Sequence, residues 1–278
     1  MSNISKICWI FFFSLTALSG CSFGTVKAPE AVRIEPQYTE EELTAMRREE
    51  KLVPLLDEAA GLAKGYYYDE ALACLSRVPE EFSEDPAVTE AAASYTAAKD
   101  AFVPYEQPVR HIFFHSLIVD TNLAFDGDYM ENGYNYWMTT VDEFRAILEE
   151  LYANQYILID IHDLNEVQTA KDGTVTLIPS APMVPEGKIP LVLSVDDVNY
   201  YDYMKTDGFA RNLMLDEEGN VKNLYIDENG QEMVGDYDVV PILDAFVEEH
   251  PDFSLRGAKG LLALTGYEGA LGYRTNDP

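Results

Sequence analysis

Cysteine and positive charge are both scarce in this 278-residue sequence. Of its three cysteines, Cys8 and Cys21 lie in an apolar N-terminal segment, which leaves only Cys74. The sequence therefore excludes an intramolecular disulfide framework. The 19 basic residues are outnumbered by 49 acidic residues, and the formal net charge is −30. Such a surface repels phosphate backbones, so we expect no nucleic-acid partner.

Apolar residues, by contrast, are plentiful. They make up 47% of the chain, and 12% of the residues are aromatic, which is ample material for a hydrophobic core. The length fits one large domain or two smaller ones. The acidic residues are scattered through predicted helices and turns, which indicates a solvated surface and not an acidic tail.

The N-terminus has the pattern of a secretory signal peptide. Lys6 precedes an apolar run over residues 7–18, which is too short for an ordinary membrane span. The following Leu18-Ser19-Gly20-Cys21 resembles a bacterial lipobox. The resemblance implies that residues 1–20 are a lipoprotein signal peptide and that Cys21 carries lipid on the extracytoplasmic face of a bacterial membrane. An ordinary cleaved signal and an uncleaved anchor are the alternatives. Residues 21–37 predict a flexible tether.

Residues 38–103 have a helical pattern. Apolar residues recur at three- and four-residue spacing on both sides of the break at Lys64-Gly65, and Pro54 is expected to kink or divide the first helix. Residues 63–72 resemble a single tetratricopeptide-type helical hairpin. Because a solenoid needs about three such units, we expect a helical spacer or cap, with a protein partner as a further candidate role.

Residues 109–278 alternate strands and helices, which predicts a parallel α/β sheet. Thr140 has capping-box spacing before one amphipathic helix, and Asp238 is placed to cap another. Two acidic turns between residues 209 and 234 lack the ligand spacing of calcium loops and predict a small β-meander. Buried strands are expected over residues 109–119, 156–161, 189–195 and 259–265.

The strand at residues 189–195 ends in Asp196 and Asp197. Open α/β folds place their chemistry just beyond such carboxyl ends, so the pair is a candidate acid/base or metal site. Alternatively, Asp196 caps a helix beginning at Val198. His115 and His162 also follow apolar strands and could line the same opening, or they could be structural.

Tyr200 could stack on a sugar ring as a site-lining residue. The plain alternative for Tyr200 is an exposed position at a helix end.

The order of these elements resembles the polysaccharide deacetylases of the NodB-homology class of carbohydrate esterases. It is most similar to the cell-surface branch that acts on N-acetylglucosamine polymers. The segments that carry the resemblance are QYILIDIHDL, IPLVLSVDD, VVPILDAFVEEH and KGLLALTGY. The resemblance implies a distorted (β/α) barrel. In place of the family's Thr-Phe-Asp-Asp-Gly stands Ser194-Val195-Asp196-Asp197-Val198, which implies that Asp196 is the general base and that Asp197 binds a divalent metal, commonly zinc.

The sequence also departs from that family. Val198 replaces a glycine, and no His-x-x-x-His motif follows Asp197. We therefore expect residues 109–278 to be an incomplete barrel with an open sheet edge. The leading hypothesis is a lipid-anchored, metal-dependent deacetylase of a surface polysaccharide such as an N-acetylglucosamine polymer. The alternative is a non-catalytic glycan-binding or assembly lipoprotein. The expected fold class is α/β: a helical hairpin region, then part of a deacetylase barrel with a β-meander insertion.

Overall fold

The computed structural model describes residues 38–275. The predicted signal peptide, the tether at residues 21–37 and the lipidation residue Cys21 all lie outside the described residues. Within residues 38–275 the fold is mixed α/β, as expected. None of the helices in this part of the chain is long and apolar enough to cross a membrane.

Four helices form the N-terminal helical region: α1 (Glu40–Lys51), α2 (Val53–Lys64), α3 (Tyr68–Leu75) and α4 (Pro86–Asp100). Thr39 caps α1 with a capping box. Pro54 lies in the first turn of α2, where its missing N–H costs no helical hydrogen bond, and the chain divides at the buried Leu52. Helices α2 and α3 pack through small residues such as Ala59 and Ala71, which confirms a helical hairpin.

A short strand pair connects this region to the rest of the molecule. Strand β1 (Phe102–Pro104) pairs antiparallel with β6 (Met183–Pro185). Phe102 and Tyr66 from the helical side pack against a buried cluster that contains Ile157 and Val192. The helical region therefore shares a core with the α/β region.

The α/β region contains four helices and nine further strands within the described residues, together with short 3-10 turns at residues 161–164, 202–206, 251–253 and 255–257. The strands are β2 (Arg110–Phe114), β3 (Tyr156–Leu158), β4 (Asn165–Thr169), β5 (Val175–Pro179), β7 (Ile189–Val195), β8 (Asn212–Leu215), β9 (Val221–Ile226), β10 (Glu232–Gly235) and β11 (Leu261–Leu262). The helices are α5 (Thr121–Ala124), α6 (Glu131–Trp137), α7 (Val141–Ala153) and α8 (Val239–Glu249).

Strand β7 is the centre of the main sheet. It pairs in parallel with β2 along one side, and with β3 and then β11 along the other. From Pro190 to Val195 the strand is buried throughout, as its nearly unbroken apolar sequence predicts. The parallel sheet predicted from the sequence is confirmed. Within residues 38–275 it is open, and no barrel closes.

The two faces of this sheet are covered differently. On one, the covered face, Leu191, Leu193 and Val195 pack under Phe144 of α7 and Ile242 of α8. On the other, the open face, strand alternation places Ser194 of β7, and Asp196 just after β7, beside His111 and Phe113 of β2, because His111 pairs in register with Val192. Phe113 is 54% exposed, so the open face is accessible near the carboxyl ends of its strands.

Two predicted strands are less buried than expected. Only Leu261 and Leu262 of the expected segment 259–265 form a strand, and they are 38% and 45% exposed. The prediction of a buried strand was wrong because β11 lies at the margin of the sheet and pairs with β7 over two residues only. Of the expected segment 109–119, residues 110–114 form β2, and its open face remains accessible.

The helix that Asp196 was expected to cap does not form. Asp197 and Tyr200 have positive φ angles of 60° and 53°, and two left-handed residues so close together prevent a right-handed helix from starting. The alternative prediction for Asp196 is therefore wrong. Elsewhere the capping predictions are confirmed: Thr140 forms a capping box on α7, and Asp238 caps α8.

The predicted meander is confirmed as the antiparallel sheet β8–β9–β10. Its two acidic turns are closed by aspartate side chains, since Asp216 accepts from the Asn220 backbone N–H at 2.7 Å and Asp227 from that of Gln231 at 2.8 Å. These carboxylates thus serve as turn caps. A separate hairpin, β4–β5, turns at residues 170–174.

Candidate functional site

Asp196 and Asp197 emerge together at the carboxyl end of β7. The Asp196 backbone N–H donates to the Phe114 carbonyl at 2.7 Å, which holds this point against the end of β2. The left-handed backbone at Asp197 then turns the chain sharply. The two carboxylates line different clefts, although they belong to neighbouring residues whose Cα atoms are about 3.8 Å apart.

Aromatic side chains form most of the cleft beside Asp197, which has a volume of about 440 Å³. Tyr201 and Tyr203 stack with their ring centroids 5.6 Å apart and their planes 20° apart. Trp137, at the end of α6, is 74% exposed. We call this the aromatic cleft; its lining residues are Phe113, His115, Ser116, Trp137, Met138, Asp197, Tyr201, Tyr203 and Met204.

Neutral donors occupy both oxygens of the Asp197 carboxylate. Tyr201 donates its hydroxyl to Oδ2 at 2.6 Å. The Asn199 amide donates to Oδ1 at 2.8 Å, and the Thr265 hydroxyl also donates to Oδ1. Burial, together with this hydrogen bond to Asp197, raises the pKa of Tyr201, so the phenol stays a donor. The carboxylate is thus held in one orientation in the cleft wall.

Asp196 lines a second cleft, of about 330 Å³, on the open face. Ser194 donates its hydroxyl to Asp196 Oδ1 at 3.2 Å, and Ser194 Oγ lies 2.9 Å from His111 Nε2. The remaining wall is largely apolar and includes Ile161 and Leu261. A histidine, a serine and a carboxylate therefore form one hydrogen-bonded chain beside an apolar surface.

Of the other predicted site residues, only His115 reaches the strand-end clefts, where it lines the aromatic cleft. His162 lies on the turn Ile161–Leu164, its side chain is 88% exposed, and its Nδ1 contacts Asp160 at 2.5 Å. It lines neither of the two clefts, because the 3-10 turn directs it to solvent.

Tyr200 is a core residue and not a cleft residue. It is 2% exposed, and its hydroxyl accepts from the Asn223 amide at 3.0 Å. Burial raises its pKa well above the ordinary value, with Asp238 as a further cause. The expectation that Tyr200 lines the site was wrong because its left-handed backbone turns the ring into the core, while Tyr201 and Tyr203 face the aromatic cleft.

His111 was missed by the sequence analysis. It lies inside an apolar run, and its partner Ser194 is 83 residues away, so no local spacing connects them. One signal was available: His111, Phe113 and His115 alternate, which puts them on the same face of a strand.

The described residues do not by themselves fit the metal that the family resemblance implies. Nowhere in residues 38–275 do three or more histidine, cysteine or acidic side chains gather in a group that could hold a metal ion. His115 shares the aromatic cleft with Asp197, but both oxygens of Asp197 already accept hydrogen bonds. Further ligands would have to come from outside the described residues.

Comparison with known proteins gives no independent assignment: no family model, curated protein or solved structure matches this chain.

Proposed function

We propose that this chain is a lipid-anchored deacetylase that hydrolyses acetyl groups of a surface polysaccharide, such as an N-acetylglucosamine polymer. The observation that carries the proposal is the pair Asp196-Asp197 at the end of the central parallel strand, beside an aromatic cleft. Parallel α/β sheets place their ligands at this end of the strands. The resemblance noted in the sequence supports the same reaction.

The aromatic cleft has the chemistry of a sugar site. Exposed rings such as Trp137 and Tyr203 offer apolar faces to the C–H groups of a pyranose ring. The cleft volume of about 440 Å³ lies in the range of small-ligand pockets. Asp197 Oδ2, which accepts from Tyr201, has a second lone pair that can accept from a sugar hydroxyl or amide group.

Asp196 is suited to accept a proton. Among the described residues one hydrogen bond holds its Oδ1, from Ser194, and its side chain is partly exposed. In amide hydrolysis a carboxylate takes the proton of a water molecule as the water oxygen attacks the acetyl carbonyl. The carboxylate then returns this proton to the nitrogen as the C–N bond breaks, so that the sugar leaves as the amine and acetate forms. A divalent metal, zinc by resemblance, belongs to this proposal with Asp197 as one ligand.

The second candidate function is a non-catalytic glycan-binding lipoprotein. It is favoured by one observation: the described residues contain an intact aromatic cleft but no three-ligand metal group. Both candidates require the sugar to bind in the aromatic cleft, and they differ in whether acetate is released.

Calorimetry and an acetate assay on the same protein distinguish the two. A trimer of N-acetylglucosamine is titrated into the chain with and without zinc, and acetate is measured afterwards. We expect sugar binding and zinc-dependent acetate release by the chain, and loss of both in Asp197→Asn. The control is Asp57→Asn, an exposed change on α2. Sugar binding without acetate leaves the non-catalytic function, and absence of sugar binding rejects both.

Trp137→Ala tests the sugar site separately. Because Trp137 is 74% exposed, its loss should leave the urea midpoint of unfolding unchanged while affinity for the trimer falls about tenfold. Tyr129→Ala, which removes an 87% exposed ring outside the cleft, is the matched control. Equal affinity of both variants for the sugar would mean that the sugar does not stack on Trp137.

Membrane attachment is proposed from the lipobox-like sequence and has its own test. Cys21→Ser should move the protein from the membrane fraction to the soluble fraction of an expressing bacterium, because two or more acyl chains are what hold such a protein stably. Retention of Cys21→Ser in the membrane fraction would reject lipid anchoring at this residue.

A further inference from the structure

We propose that His111 is a positioning residue for Asp196 and acts through Ser194. The inference rests on the proposed function, in which Asp196 is the base. It is carried by the hydrogen-bonded chain on the open face, where His111 Nε2 lies 2.9 Å from Ser194 Oγ and Ser194 Oγ lies 3.2 Å from Asp196 Oδ1.

Backbone register brings the three residues together. His111 pairs with Val192 in the parallel ladder, so its side chain lies on the same face as Ser194 and Asp196. The ladder holds β2 and β7 in register up to Phe114 and Val195, and the Asp196 N–H to Phe114 carbonyl bond extends this pairing by one residue. The hydrogen-bonded chain of His111, Ser194 and Asp196 is therefore built on rigid strands, which hold side chains more accurately than loops do.

Donor counting gives the chain a direction. A serine hydroxyl has one proton, and an ionised carboxylate only accepts. Ser194 donates its one proton to Asp196 Oδ1, so in its contact with His111 Nε2 the serine oxygen is the acceptor. His111 therefore carries a proton on Nε2, and its imidazole holds the serine hydroxyl toward the carboxylate.

The consequence is an Asp196 carboxylate with two unequal oxygens. Oδ1 is fixed by Ser194, while no hydrogen bond within residues 38–275 is directed to Oδ2. Ser194 is 5% exposed and His111 is exposed, so the chain runs from the strand end to the protein surface. A base works best when one oxygen is anchored and the other faces the proton that it accepts.

The energetic coupling between His111 and Asp196 tests the hydrogen-bonded chain without an enzyme assay. The midpoint of urea unfolding is measured on the full chain for His111→Phe, Asp196→Ala and the double variant, each with Ser194 or with Ser194→Ala. With Ser194 present we expect the two single shifts not to add, and with alanine at residue 194 we expect them to add. Additive shifts in both backgrounds would overturn the inference, because a residue of merely local structural importance gives no coupling that depends on Ser194.

Kinetics then test the positioning role. For acetate release from the N-acetylglucosamine trimer in the presence of zinc, we expect kcat of His111→Phe and Ser194→Ala to fall about tenfold with KM unchanged. His111→Gln retains an N–H donor and should recover most of the lost rate. Equal kcat in wild type and His111→Phe would overturn the positioning role. If wild type releases no acetate, the proposed function fails. The unfolding experiment still decides whether the hydrogen-bonded chain from His111 through Ser194 to Asp196 exists.

Discussion

The covered face and the open face of the central sheet come from the same strands but have opposite chemistry. On the covered face Leu193 and Val195 are at most 3% exposed and meet the apolar sides of α7 and α8. On the open face, one residue along the same strand, Ser194 and Asp196 hydrogen-bond to each other. The period of two along β7 thus separates the core from the candidate site.

This difference shows why β7 looks fully buried in the sequence yet supports a polar site. Ser194 is 5% exposed, and its burial is tolerated because its hydroxyl has partners on two sides. A buried polar residue in an otherwise apolar strand is therefore the sequence signal of the open face. The alternating set on β2, with Phe114 on the covered face and Phe113 on the open face, has the same pattern.

The largest difference in stability between the two faces should appear when a phenylalanine that packs on the covered face and one on the open face are each replaced by alanine. Phe144 is fully buried and packs edge to face on Phe114 with ring centroids 4.8 Å apart. Phe144→Ala should lower the free energy of unfolding by about 3–5 kcal/mol, because it leaves a cavity in the core. Phe113→Ala, on the open face, should cost about 1 kcal/mol or less. Urea unfolding measures both, and equal losses would end the distinction between the faces.

A smaller effect concerns the buried carboxyl under the covered face. Asp238 is 2% exposed and accepts from the backbone N–H groups of Leu117 and Val239 at 3.0 and 2.8 Å. Burial raises the pKa of Asp238 to about 6, against an ordinary value of 3.8.

The sign of the resulting pH dependence follows from this raised pKa. Below pH 4 the contribution of Asp238 to the free energy of unfolding is fully present. As the pH rises to about 6, the carboxyl ionises in the unfolded chain but stays protonated in the folded one, and a contribution on the order of 3 kcal/mol is lost. Asp238→Asn should remove this dependence while its amide oxygen keeps the cap. The measurement is the difference in unfolding free energy between wild type and Asp238→Asn at pH 4 and pH 7. A difference that does not change with pH would show that Asp238 is not desolvated.

The smallest effect is expected at the margin of the sheet. Leu262 is 45% exposed in β11, so Leu262→Ser should change the free energy of unfolding by about 0.5 kcal/mol or less. Leu193→Ser, in the fully buried part of β7, is the matched control and should cost several times more. A large loss for Leu262→Ser would mean that another segment covers β11.

Local sequence signals predicted the elements well. The run at residues 189–195, the capping box at Thr140 and the acidic turns of the meander each specify their structure within a few residues. Failures arose where tertiary position decides. The leucines at 261 and 262 look like a core strand, yet they lie at an edge, and no periodicity reports which strand is last in a sheet.

The candidate site was predictable only in part. The two carboxylates follow directly from the end of a strand, and His115 from the end of its neighbour. The direction of each side chain depends on the left-handed backbone at Asp197 and Tyr200, which Asp permits and which is rare for Tyr. This backbone put Tyr200 into the core, and the link between His111 and Ser194 required the register of two strands far apart in the chain.

The unpaired side of β11 has a consequence for how molecules of this protein meet each other. Within the described residues no strand pairs with that side, and such an edge can hydrogen-bond to the edge of a second molecule. The net charge of −30 opposes that encounter, since like-charged molecules repel before their backbones touch. The repulsion reaches about 8 Å at physiological ionic strength and about 3 Å at 1 M salt. Added salt should therefore lower the concentration at which solutions of this protein stay dispersed.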